Sequence, residues 1–151
     1  MRNFFNKNQR LILGLSFIIY LLALGYHLFL GDSLGRREIL EFYRYNFTLF
    51  KEIIRYIENI DVIGARLVVL NLAGNVFAFV PFGMFVSRFL MEKKFAFIKT
   101  ILIGFGFTVL IEGVQLVTKV GICDVDDVVL NTTGVVIGAV IAKLINKKST
   151  A

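Results

Sequence analysis

Asparagines, a glutamine and four carboxylates stand in stretches of this chain that are otherwise apolar, which is where chemistry is easiest to see. Asn71 and Asn75 lie four residues apart, Glu112 and Gln115 three apart, and Asp124, Asp126, Asp127 and Asn131 crowd into eight positions. In hydrocarbon each such group costs several kcal/mol unless it finds a partner, so together they mark a binding or catalytic site. Carboxylates and amides bind by accepting and donating hydrogen bonds. Asp124, Asp126 and Asp127 also have the oxygen donors that suit a hard divalent cation, and Glu112 or Asp127 would then act as a general base. There is no Cys/His zinc set, serine nucleophile elbow or Gly-rich phosphate loop. No cofactor is implied, and binding is favoured over catalysis.

Four apolar blocks must position these residues: 11–30, 67–90, 95–118 and 125–145. Twenty residues at the helical rise span about 30 Å, the thickness of a bilayer core. The first block is longer than the apolar part of a usual signal peptide, and no small-residue cleavage pattern follows it. The chain is 57% hydrophobic with a mean hydropathy of +0.76. A 151-residue soluble domain has too little interior to hide that much apolar surface. The expectation is an all-α, polytopic membrane bundle forming one domain over 1–151. Pro81 falls inside the second block, where it removes a backbone donor.

Charge sets the orientation. Ten of the seventeen Lys and Arg, against Glu92 alone, fall at the N-terminus, in 88–99 and at the C-terminus. The positive-inside rule then puts both termini in the cytoplasm. The formal net charge of +6 is thus a topology signal, and nucleic acid is excluded as a partner. Between the first two spans, Phe47, Phe50, Ile53, Ile54, Ile57 and Ile60 recur at helical spacing with Lys51, Glu52, Arg55 and Glu58 opposite. This predicts an outer amphipathic helix over about 47–60, lying in the interface. Phe42, Tyr43 and Tyr45 precede it as an aromatic belt.

Depth unites the polar residues. At the helical rise Asn75 is about 13 Å, and Glu112 and Asn131 about 9 Å, from the outer ends of their helices. One outward-facing pocket is predicted, lined by Asn71, Asn75, Glu112, Gln115, Asp124, Asp126, Asp127 and Asn131. The bland alternatives are interhelical hydrogen bonding for Asn71 and Asn131, and an N-cap for Asp124. His27, one turn from the end of the first span, reads as interfacial. Cys123 reads as a small apolar residue. The Gly134–Gly138–Ala142 stripe would serve either a homodimer or packing within the chain.

Three stretches resemble the VanZ-like family of bacterial membrane proteins. They are "NLAGNVFAFVPFGMFV" (71–86), "IEGVQL" (111–116) and "CDVDDVVLNTTGVVIG" (123–138), which look like the family's N-x-x-G-N…F-x-P-[FL]-G, E-x-x-Q and D-x-D-D-x-x-x-N-x-x-G elements in the same order. The likeness covers about 45–145. Two positions depart from the pattern: Leu49 stands where the family usually has proline, and Gly121 where it often has arginine. The resemblance implies a multi-pass protein of the bacterial cytoplasmic membrane whose partners are lipids, a cell-wall precursor or a lipoglycopeptide. It also implies a link to teicoplanin-type resistance. A membrane enzyme acting on a lipid-linked substrate is the alternative.

Overall fold

The computed structural model describes residues 7–30, 42–91 and 93–148. The chain divides into two compact units, 1–37 and 38–151. Unit one contains α1 (Lys7–Leu30), an apolar helix on which Phe17 stacks over Tyr20 at 6.2 Å between ring centroids.

Unit two runs β1 (Tyr45–Asn46), α2 (Lys51–Glu58), α3 (Ile60–Ile63), α4 (Ala65–Leu90), α5 (Ala96–Thr118), β2 (Cys123–Asp124) and α6 (Val125–Lys148). With α1, the helices α4, α5 and α6 make four that are long and apolar enough to cross a membrane. All four spans therefore stand where the hydropathy puts them, each within a few residues at its ends. α4 continues as one helix through Pro81.

The core of unit two is the α4–α6 interface, the most extensive helix pairing. Asn75 meets Asp127 near one end of this pair and Arg88 meets Asn146 near the other, so the two helices run parallel. α5 returns antiparallel between their ends, with Glu112 bonded to Asp124 and Lys143 lying against Phe97. Close approach depends on glycine. A Cβ at Gly134 would collide with the Val76 carbonyl oxygen, and one at Gly138 with that of Val80. The Gly134–Gly138–Ala142 stripe is therefore occupied by α4 of the same chain, the small-residue contact by which membrane helices gain dispersion energy. Val135, fully buried, wedges between Gly83 of α4 and Gly104 of α5. Phe79, Phe82 and Phe107 fill the remaining space, with Phe82 and Phe107 stacked at 4.6 Å.

The amphipathic segment is shorter than its periodicity suggests. α2 begins at Lys51 rather than 47, because Thr48–Phe50 form a turn and Phe50 adopts a left-handed backbone (φ 63°). It stops at Glu58, and α3 restarts the chain at Ile60 before Gly64 (φ 90°) admits α4. Ile54 and Ile57 remain exposed on α2, and Phe42, Tyr43, Tyr45 and Phe47 are exposed just before it.

Candidate functional site

The polar residues gather where α4 and α6 begin and α5 ends, and a strap formed by residues 42–58 closes over that end. The strap is tied down first by backbone. β1 and β2 pair in parallel, Tyr45 beside Cys123 and Asn46 beside Asp124, and the Cys123 amide donates to the Arg44 carbonyl at 3.1 Å. Two-residue strands leave no hydropathy signature, so this pairing is invisible in the sequence.

Asp124 is the hub. It is the residue before α6, and its Oδ1 accepts the Asp126 amide at 2.9 Å, the N-cap bond the sequence allows. The same oxygen accepts from Asn46 Nδ2 at 3.0 Å, while the Asp124 amide donates to Glu112 Oε2 at 2.9 Å. One aspartate thus joins β1, α5 and α6. Burial holds its carboxyl above the ordinary aspartate range, against the lowering effect of the bonds from Asp126 and Asn46. The neighbouring Cys123 thiol is likewise raised by burial, with Glu112 and Asp124 acting in the same direction.

Asp126 points the other way, out of the span and into the strap. Its Oδ1 accepts the Phe50 amide at 2.5 Å, and its Oδ2 accepts those of Glu52 at 2.8 Å and Ile53 at 3.2 Å. α2 has no capping side chain of its own, so a carboxylate from α6 satisfies its orphan amides and complements its positive end. These bonds hold Phe50 in its left-handed conformation, which a bulky residue rarely adopts. Asp127 turns toward α4 and accepts from Asn75 Nδ2 at 2.5 Å.

Asn131 lies one turn below Asp127 on the same face of α6 and is 2% exposed, yet its Oδ1 has no hydrogen-bond partner. Gln115 is also buried, one turn from Glu112 on α5. Asn71 is not drawn in by its amide group, which donates to the Leu67 carbonyl of its own helix at 2.8 Å. Thr108, fully buried, similarly donates to Phe105. His27 is exposed on α1.

The three aspartates do not converge as a cation site would require. Each carboxylate serves a different element, and among the described residues no three His, Cys, Asp or Glu side chains group in a way that would hold a metal ion. Sequence reasoning missed Asn46. Besides its bond to Asp124, its Oδ1 accepts the Thr48 amide at 3.1 Å, an Asx-type turn that starts the strap's bend. The N-x-T spacing hints at that turn but not at its partner 78 residues away. Gly121, at the arginine position of the family pattern, has φ 90°, a backbone region that a side chain would strain. Beside it Lys119 lies over the Tyr43 ring at 4.8 Å, a further tie between strap and bundle.

Helices of spanning length, with a buried polar cluster where three of them meet under a strap, define a multi-pass α-helical membrane protein. The VanZ/LLP1 family model matches residues 17–146, and the chain belongs to that family. No curated protein and no solved structure matches it.

Proposed function

We propose that the strapped end of unit two faces the outside of the bacterial cytoplasmic membrane and binds the polar head of a lipid or lipid-linked molecule without chemically changing it. Phospholipid headgroups, cell-wall precursors and lipoglycopeptides share that form: a polar head with hydrogen-bonding groups, joined to an apolar tail. A contribution to teicoplanin-type resistance belongs to the same reading, through capture of the antibiotic or of its target. Asn71, Asn75, Glu112, Gln115, Asp124, Asp126, Asp127 and Asn131 form or flank the proposed site. Asp126 and Asp124 hold its cover, and Asn75, Asp127 and Asn131 line its deeper part.

One observation carries the proposal: a buried amide oxygen on Asn131, within one turn of Asp127, lacks the partner that buried polar groups almost always have. A ligand donor at that depth would supply it. The test is native mass spectrometry of the purified full chain with phosphatidylglycerol, a lipid-linked cell-wall precursor and teicoplanin in turn. At least one is expected to be retained by the wild type. Asn131→Leu is expected to weaken its retention about tenfold, on the order of one hydrogen bond in a dry site. Equal retention by wild type and Asn131→Leu, or retention of none of the three, refutes the reading.

A further inference from the structure

We propose that the opposite end of unit two carries a second lipid site, selective for anionic phospholipid and centred on Lys94, just before α5, and Lys143, near the end of α6. It does not depend on the ligand assigned to the strapped end.

α4 ends, α5 begins and α6 ends at this place, so three helix termini bring their charges together. Arg88, Lys93, Lys94, Lys99, Lys143 and Lys147 all fall here, and over 88–99 and 143–148 the sequence sets a single carboxylate, Glu92, against seven cations. Two contacts fix the α6 end in place. Arg88 donates to Asn146 Oδ1, tying α4 to α6, and Lys143 Nζ stands 5.8 Å from the Phe97 ring, tying α6 to α5. Lys94 Nζ stands 4.9 Å from the Phe95 ring. Lys94, in the turn before α5, and Lys143, on α6, are thus each held near a ring at the start of α5. Cation–π contact orients each without neutralising it.

An apolar seat leads away from this pair. Just after the exposed Phe95, the residues Ile98, Leu102, Phe105 and Val109 recur at i, i+4, i+7 and i+11, one stripe along α5, and each is 46–63% exposed. The stripe is about 16 Å long at the helical rise, matching the roughly 15 Å of one leaflet's hydrocarbon. Positive charge at the head of an acyl-length apolar track matches a phosphodiester headgroup with its chain laid along α5. A zwitterionic lipid brings an ammonium of its own to the same lysines and loses that advantage.

The experiment uses the full chain in detergent and native mass spectrometry, with phosphatidylglycerol and phosphatidylcholine of identical acyl chains. Phosphatidylglycerol is expected to be retained preferentially. K94Q/K143Q is expected to lower that preference about fivefold per lysine removed, from about 1 kcal/mol per charge near an anionic surface. K94R/K143R keeps both charges and is expected to retain the lipid as wild type does, which separates lost charge from lost fold. Glycerol phosphate, which has no acyl chain, is expected to compete poorly. Equal retention of the two lipids by wild type, an unchanged preference in the glutamine pair, or full competition by glycerol phosphate overturns the proposal.

Discussion

Asp124, Asp126 and Asp127 fall within four positions of the chain, yet each carboxylate points to a different element. Asp124 precedes α6, and Asp126 and Asp127 in its first turn stand about 100° apart around the axis, so the three face three directions. Asp124 turns to β1 and to its own helix, Asp126 to α2, and Asp127 to α4. The cap Asp126 provides is testable by itself. Asp126→Ala is expected to cost about 1–2 kcal/mol, the range for a lost cap, with the loss confined to the strap. In hydrogen–deuterium exchange the amides of 50–58 should exchange faster than in wild type while those of α4 and α6 keep their protection. Unchanged protection over 50–58 would show that the strap is held by other contacts.

Among the elements, α4 and α6 are the pair on which the rest depends. Their parallel packing brings Asn75 within reach of Asp127 and rests on glycines whose hydrogens face carbonyl oxygens of the partner helix. Gly138→Ala puts a methyl group against the Val80 carbonyl and is expected to cost about 3 kcal/mol, near the upper end for overpacking. Gly106→Ala provides the contrast. Its position on α5 has open space, so the added methyl should be neutral or slightly stabilising through helix propensity. Thermal unfolding in detergent separates the two, and equal melting temperatures would contradict the close approach. α2 follows a different logic, for its exposed Ile54 and Ile57 suit an interfacial position beside the aromatic residues that precede it.

For the molecule as a whole, the Lys and Arg distribution predicts its sidedness in the membrane, and labelling checks it. With Cys123→Ser as background, Asn59→Cys is expected to react with an impermeant maleimide in intact cells. Lys93→Cys is expected to react only after permeabilisation. The reverse pattern would invert the topology and place the strapped end in the cytoplasm, removing the basis for an extracellular ligand.

The four long helices were legible in the sequence because hydrocarbon imposes a rule that composition alone reveals: about twenty apolar residues, with every backbone group bonded within the segment. The distance of Asn75, Glu112 and Asn131 from the ends of their helices was legible too, since it is a count of residues times a fixed rise. Asn71 shows the limit of that count, because its place along α4 did not keep its amide from bonding to its own helix. Which side chains meet depends on helix rotation and on contacts between segments far apart in the chain. Asn46 reaches Asp124 across 78 positions, and α2 starts at Lys51 because a carboxylate from α6 meets its amides there. Such partners are chosen by packing in three dimensions, where glycine contacts between α4 and α6 set the spacing and the unsatisfied amides of one element turn to whatever acceptor the next presents.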